Sequence, residues 1–599
     1  MIYHCEDHTC NYWDEGEKLP ERCPQCGRKL LRANEADMTG DDWTALGNTL
    51  WDAEASDKKR MVDCFRKAAY LGSAWGVCNL GICMEQGNGV EADPVQAFWL
   101  YQQAVEMGSL NAVCCLGVCY QYGIGTAPDA EKAAELYCKA AEYGSPRGQM
   151  LLARAFHDGI GVEADAAEAV HWVRAAAYQR YGEGMHRLGV CYAYGDGVEQ
   201  NWEHAVHWFR EAAESGVSVA MTVLGYCYEK GCGVEQSWEQ AFSWYRRGAE
   251  CGYPVSMSNL GLCYKRGYGV EQNWQEAIKW YEQGAQCGDL QSMHNLACCY
   301  ERGEGVEQNE ERALYWYRRS AEGGNGDAMC NLGWCYQRGY GVEQNEDRAL
   351  YWYRRGAEAG SDYCMYCLGW NYSNGEGVEQ NMTEAIRWYT AAAEGGNADA
   401  MHNLGWHYDH GEGVEQDMKK AICWYERAAE QNRPAAMNSL GECYAMGRGV
   451  PRDLETAMEW YRRAAELGEA MADYNMGWHL EQAGKLSEAY AHYRKAADGN
   501  DDSAWWALGR FYENGVVVAQ DGKEARRCYE TGEKLGSVKC KMRLARCKLL
   551  GIGGRRAKKA GLDLCRQALE LAKESSEKED YGYEAEMNLL RRTIAENES

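Results

Sequence analysis

Four cysteines open the 599-residue chain in a pattern that can hold a metal: Cys5-x4-Cys10, twelve intervening residues, then Cys23-Pro-Gln-Cys26-Gly. In Cys-x2-Cys-Gly, two thiolates and the adjacent backbone amides turn around one tetrahedral ion. So short a segment buries little core, and metal has to hold it together. The first knuckle has four intervening residues where the second has two, and Cys5-x2-His8 offers another pairing in which His8 replaces Cys10. The expected site is one ion held by Cys5, Cys10, Cys23 and Cys26.

Other chemical patterns are sparse. The 13 histidines are dispersed, His204 and His207 make a lone His-x2-His, and no His-Glu-x-x-His, Gly-x-Ser-x-Gly or Walker sequence occurs. Ser56-Asp-Lys-Lys59 and Ser575-Ser-Glu-Lys578 spell the Ser-x-x-Lys of β-lactamases, but the companion Ser-Asp-Asn and Lys-Thr-Gly elements do not occur. A β-lactamase-like hydrolase therefore rests on those letters alone. Cys364-x2-Cys367 falls on an expected helix without the βαβ context of a redox motif. The chain reads as non-enzymatic.

Charge and composition narrow the class. Lys plus Arg at 63 against Asp plus Glu at 90 leaves a net charge of −27, which argues against coating nucleic acid or an anionic membrane. Mean hydropathy is −0.61 and no run of 18 apolar residues occurs, so no membrane span is expected. The opening Met-Ile-Tyr-His-Cys-Glu lacks the basic-then-apolar order of a secretory signal, and a reducing cytoplasm is the expected compartment. With 29 cysteines in so long a chain, a disulfide scaffold is not expected. Gly at 68 against 8 Pro, and 23 Trp with 41 Tyr against 6 Phe, suggest one motif used many times.

The elements that must position these residues repeat. A Leu followed by Gly or Ala returns every 36 residues from Leu80 through Leu116, Leu152, Leu188 and onward to Leu440, and Met476 continues the series. Leu46, Leu508 and Leu544 flank it at spacings of 34, 32 and 36, giving fifteen units. Each reads as two helices. In one unit, Ala328 to Tyr336 has apolar residues at i, i+4 and i+8 and stops at Gly339. Asn345 caps the second helix, which places Ala349, Trp352, Tyr353 and Ala357 at helical spacing and ends at Gly360. Trp172, Trp208, Trp244, Trp280, Trp316, Trp352, Trp388, Trp424 and Trp460 share one phase of that helix and read as core, as do the periodic methionines from Met185 to Met437. The Gly-x-Gly loops have no preceding strand, so they are turns rather than phosphate cradles. Cys83, Cys119, Cys191, Cys227, Cys263, Cys299, Cys335, Cys443 and Cys547 share one slot of the first helix and read as small hydrophobes.

The order A-x-x-x-L-G-x-x-Y-x-x-G, then G-V, then A-x-x-W-Y-x-x-A-A-E-x-G resembles the Sel1-like repeat family, a relative of the tetratricopeptide repeats with a longer loop. The resemblance covers about residues 41 to 573. One unit departs from it, because Gly477 to Ala489 lacks the Gly-x-Gly loop and looks like a plain tetratricopeptide turn. The cysteine-rich secreted branch of the family pairs cysteines across seven intervening residues, a spacing found nowhere here. The stretch Tyr12 to Pro20 leading into Cys23-Pro-Gln-Cys26-Gly is similar to rubredoxin-like zinc ribbons. Rubredoxins use iron, but nothing nearby supplies a di-iron partner, so structural Zn2+ is the expected cofactor.

The resemblance implies an all-α, right-handed superhelical solenoid of about fifteen helix pairs. The expected domains are a zinc ribbon at 1–37, the solenoid at 38–573 and a capping helix at 574–599. First helices line the concave face of such solenoids. In the tetratricopeptide register, the inward positions lie two before and two after the Leu, and five and six after it. The candidate partner-binding residues on that register are Tyr226, Arg266, His294, Arg302, Trp334, Arg338, Tyr366, Trp370, His402, Trp406, Tyr474 and Trp478. Aromatic anchors with arginines fit an extended protein or peptide partner. The other possibility is that these side chains fill a tight superhelix and touch only each other. The implied function is a scaffold or adaptor, with no nucleic acid or membrane expected. The alternative is a nucleic-acid-linked regulator using the ribbon and a basic run of Lys539, Lys541, Arg543, Arg546, Lys548, Arg555, Arg556, Lys558 and Lys559.

Overall fold

The computed structural model describes residues 2–5, 13–15, 30–33, 35–51, 55–578 and 584–598. The chain divides into two compact units, Met1–Asn309 and Glu310–Ser599. The first begins with three short strands, β1 (Ile2–Cys5), β2 (Trp13–Glu15) and β3 (Leu30–Ala33). They form an antiparallel sheet with β1 in the middle, where Ile2 lies opposite both Glu15 and Ala33. Helical pairs follow up to Leu290–Arg302. The second unit is helical among its described residues, from Glu310–Glu322 to Glu584–Glu598. The described residues hold 31 α-helices in all, and none is long and apolar enough to cross a membrane. The second helix of the last repeat, Lys558–Lys578, runs past the expected boundary at 573, and Glu584–Glu598 follows as a separate helix.

A single repeat shows why the sequence folds this way. Asn325 caps the first helix, Gly326–Arg338, by accepting from the amide of Ala328, and Gly339 ends it in the left-handed conformation at φ 71°. The loop closes through amides of Tyr340 and Asn345 on the carbonyls of Cys335 and Tyr336, and Asn345 caps the second helix, Glu346–Glu358. The second glycine of each loop is set by its neighbour: a Cβ on Gly161, at φ 68°, would strike the carbonyl oxygen of Ala130 in the preceding repeat. Each second helix packs on the first helix that follows it, and some consecutive first helices also touch directly, as Gly326–Arg338 does Asp362–Asn374.

The deepest aromatic is the residue after the periodic tryptophan. Tyr245, Tyr281, Tyr317, Tyr353, Tyr389, Tyr425 and Tyr461 are essentially sealed, whereas Trp172, Trp208, Trp280, Trp316, Trp388, Trp424 and Trp460 are half-buried and flank the core. Only Trp244 and Trp352 of the tryptophan set are buried. The small residue of the Leu-Gly pair decides this. The ring of Tyr353 lies where a Cβ on Gly333 would be; alanine is the largest residue at that place in the series, Ala153 opposite the smaller Val173 and Ala297 in the repeat of the sealed Tyr317. Gly333→Val therefore inserts three carbons against a ring with nowhere to go and is expected to cost about 1–3 kcal/mol. Urea unfolding checks this; a cost under about 0.5 kcal/mol, the range of ordinary surface changes, would contradict the packing. The methionine series behaves as expected, with Met185, Met221, Met257, Met293, Met329, Met401 and Met437 buried and Met365 half-buried. The periodic cysteines are buried, and burial pushes the Cys191 thiol up to about 11 and the Cys227 thiol up to about 12.

Candidate interaction surface

In the second unit, the residue two places after the repeat Leu is Trp334 on Gly326–Arg338, Trp370 on Asp362–Asn374 and Trp406 on Ala398–His410. Trp478 holds the same place after Met476 on Ala470–Gln482. These indoles expose 39, 44, 37 and 38% of their surface, so they do not seal one another into a core. Their ring contacts come from within their own repeats. Trp406 stacks on His410 with centroids 4.2 Å apart, Trp334 tilts against Tyr340 at 5.7 Å, and Trp478 meets His479 edge-on at 4.7 Å. The Nδ1 of His410 also lies 2.9 Å from the carbonyl oxygen of Trp406, fixing that pair.

The residues two before the Leu form a floor rather than a face. Tyr366, His402 and Tyr474 are half-buried and pack on the sealed tyrosines Tyr389, Tyr425 and Tyr493. They also bond forward to the residue just before the next Leu. His402 Nε2 is 3.3 Å from Ser439 Oγ, and Asn475 donates to Asn438 Oδ1 at 3.0 Å. Burial, with Arg433 nearby, lowers the pKa of His402 and favours its neutral form. One repeat carries Glu442 in place of the tryptophan; it accepts from Asn438 and Asn475, and burial raises its carboxyl. The residues five after the Leu are also occupied, because Gln337 accepts the Tyr353 hydroxyl at 2.9 Å and Glu481 that of Tyr493 at 2.7 Å.

Six after the Leu, Arg338, Asn374 and His410 are exposed beside the tryptophans of the second unit. Tyr226, Arg266, His294 and Arg302 belong to the first unit. Arg266 and Arg302 are exposed there, Tyr226 is exposed with Lys230 5.8 Å from its ring centre, and His294 is half-buried, its Nε2 3.5 Å from Cys298 Sγ. Of the proposed metal ligands, Cys5 closes β1, whereas Cys10, Cys23 and Cys26, with the alternative His8, lie outside the described residues.

Part of the basic run near the end is spent inside the protein, while Arg555, Lys558 and Lys559 are exposed. Arg543 grips Glu586 of the last helix with Nε and Nη2 at 2.6 and 2.7 Å and reaches Glu513 at 3.3 Å. Arg546 pairs with the same Glu513, which also accepts the Tyr529 hydroxyl at 2.8 Å. Arg556 donates to Asn597 and to the Leu549 carbonyl. Acceptors 30 to 43 residues away in sequence thus neutralise part of what reads as a basic patch.

A thirteen-fold match to the Sel1 repeat model runs over residues 76–109, 112–145, 146–181, 182–217, 218–253, 254–289, 290–325, 326–361, 362–397, 398–432, 434–469, 470–501 and 504–537. The chain belongs to the Sel1 repeat family. The unit at 470–501, whose turn looks tetratricopeptide-like, is itself matched as a Sel1 repeat. Among solved structures, the chain is similar to a protective antigen of uropathogenic Escherichia coli displaying an SLR fold. The two share 33% identity, with 75% of this chain and 97% of that one covered and a TM-score of 0.49. It is also similar to a Sel1 repeat protein from Oxalobacter formigenes, at 32% identity over 41% of this chain and 96% of that one, with a TM-score of 0.38. No curated protein matches the chain. Sel1 repeat solenoids typically act in protein–protein interaction, and the family is generally a non-catalytic scaffold.

Proposed function

We propose that the chain is a cytoplasmic, non-catalytic scaffold that holds an extended segment of a protein partner against the tryptophan row of its second unit. The carrying observation is the row itself: four large aromatic side chains at one register, each about two-fifths exposed, where folding needs no aromatic residue. Aromatic side chains of this kind are the commonest anchors of protein interfaces. Helices in direct contact, as those of Trp334 and Trp370 are, lie about 8–10 Å apart, so an extended segment advancing about 3.3 Å per residue spans from one of these indoles to the other in about three residues. Arg338 beside the row adds a planar donor for a carboxylate. Capture of partners on the immobilised chain tests this reading. A complex stacked on indoles survives about 1 M salt, where the Debye length is about 3 Å, whereas one held by the basic end dissociates.

The ribbon belongs to the same proposal. Cys5, Cys10, Cys23 and Cys26 hold one structural Zn2+ ion, which pins the first segment as a small auxiliary contact module. The expectation is one zinc per chain by elemental analysis. Chelation should then expose residues 1–37 to protease while the helical signal by circular dichroism stays constant; a metal-free, protease-resistant segment would contradict the site.

A further inference from the structure

Two pairs of cysteines occupy one recurring geometry between consecutive first helices. In each, one thiol stands two before a repeat Leu and the other immediately before the next Leu. These are Cys78 with Cys115 in the first unit and Cys330 with Cys367 in the second. In the second pair the sulfur atoms are 3.7 Å apart, so this register aims two thiols at each other. The first pair holds the same register on helices Ala74–Gln86 and Leu110–Tyr122.

What flanks the pairs differs. Five before the following Leu stands Arg147 at the first pair and Asp399 at the second. Arg147 donates through Nη1 to Cys115 Sγ at 3.5 Å and to Asn111 Oδ1 at 2.6 Å, and Asn111 in turn donates to Cys78 Sγ at 3.7 Å. These contacts link Cys78 to Cys115 through Asn111 and Arg147 beneath the half-buried guanidinium, with Cys78 and Cys115 1 and 5% exposed. The Cys78 donor and the Arg147 charge hold Cys115 below the ordinary thiol range, against burial and the charge of Glu85. At the second pair Asp399 is itself tied to Arg433 at 2.6 Å, and Cys330 is pushed well up by its thiol neighbours Cys364 and Cys367.

We propose that Cys78 and Cys115 are a redox-active dithiol: Arg147 holds Cys115 as the attacking thiolate, a small uncharged hydroperoxide is the oxidant, and Cys78 resolves the product to an inter-repeat disulfide. The Cys115 sulfur attacks the peroxide, an S–O bond forms and the O–O bond breaks. The departing alkoxide or hydroxide takes a proton and leaves as alcohol or water. Cys78 then loses its proton and attacks the Cys115 sulfur, an S–S bond forms, and the hydroxide displaced from sulfur leaves as water with that proton. Two thiols are oxidised by two electrons in total and one peroxide is reduced. Burial under Arg147 selects a small oxidant and excludes a bulky one such as a glutathione disulfide. The product would tie helix Ala74–Gln86 to helix Leu110–Tyr122.

The second pair is an internal control, with the same register and Asp399 in the place of Arg147. The full chain is treated with hydrogen peroxide at pH 7, quenched by alkylation and mapped by mass spectrometry without reduction. The expected result is a Cys78–Cys115 disulfide forming roughly tenfold or more faster than any Cys330–Cys367 disulfide, because Arg147 donates to Cys115 and favours its thiolate. Cys78→Ser leaves a sulfenic acid on Cys115 that dimedone traps. Arg147→Gln slows oxidation at pH 7 and moves the pH of half-maximal Cys115 alkylation upward, while Arg147→Lys restores part of the rate. Equal rates at the two pairs in the wild-type chain, or a Cys115 that reacts only after denaturant is added, would overturn the proposal without reliance on any variant.

Discussion

Replacing Trp370 and Trp406 together by alanine is expected to abolish partner recovery while leaving the melting curve unchanged. Both indoles leave about two-fifths of their surface in water in the free chain, and neither belongs to the sealed tyrosine core beneath. Truncation at a central aromatic anchor costs about 2–4 kcal/mol of binding, so two such losses lower affinity by roughly 10³-fold or more, allowing for non-additivity. The folding cost is far smaller, because what each loses is contact with its own repeat, chiefly the His410 ring stacked on Trp406. A control places the same change at Trp172 and Trp208, half-buried flanks of the core in the first unit. There stability should fall and binding should follow only through folding. Full recovery of partner by the double variant would remove the row from consideration.

The largest stability effect is expected at Glu513. Its carboxylate, almost fully buried, accepts from Arg543, Arg546 and the Tyr529 hydroxyl, and Arg543 passes the connection on to Glu586 of the last helix. Glu513→Ala leaves two guanidinium groups without that acceptor, and loss of one member of a buried ion pair costs about 3–5 kcal/mol. A solenoid is stabilised by nearest-neighbour contacts, so this loss stays near the C-terminal end. Limited proteolysis should release the last repeat and the helix Glu584–Glu598 while the repeats before it remain intact. Glu586→Gln should do the same more weakly, since Arg543 keeps Glu513. A wild-type digestion pattern for Glu513→Ala would show that the ion pairs do not hold the end in place.

Much of the fold was legible because its signals are local. The Leu-Gly period, the capping Asn345 and the stopping Gly339 act within a few residues of themselves, and helix limits follow them. The adjacent aromatics were harder to separate. Trp352 and Tyr353 both lie on the apolar side of one helix, and their order of burial depends on the space left by Gly333 on the facing helix, which helical periodicity does not report. The same holds for the candidate surface. The register two after the Leu places Trp334, Trp370, Trp406 and Trp478 on an exposed face, but His402 and Tyr474 are drawn into bonds and ring contacts between helices. The basic run misleads for a related reason: Arg543 and Arg546 are visible as a cluster in sequence, while Glu513 and Glu586 approach them only through packing. Arg147 beside Cys115 is likewise a neighbour only by virtue of the repeat.

Docking on the tryptophan row is tested most directly by fluorine NMR of the chain labelled with 5-fluorotryptophan and titrated with its captured partner, each resonance assigned by a single Trp→Phe change. The resonances of Trp334, Trp370, Trp406 and Trp478 should shift or broaden together as the complex forms, while those of the buried Trp244 and Trp352 stay in place. Saturation of the partner with those four resonances unmoved would contradict the proposed surface.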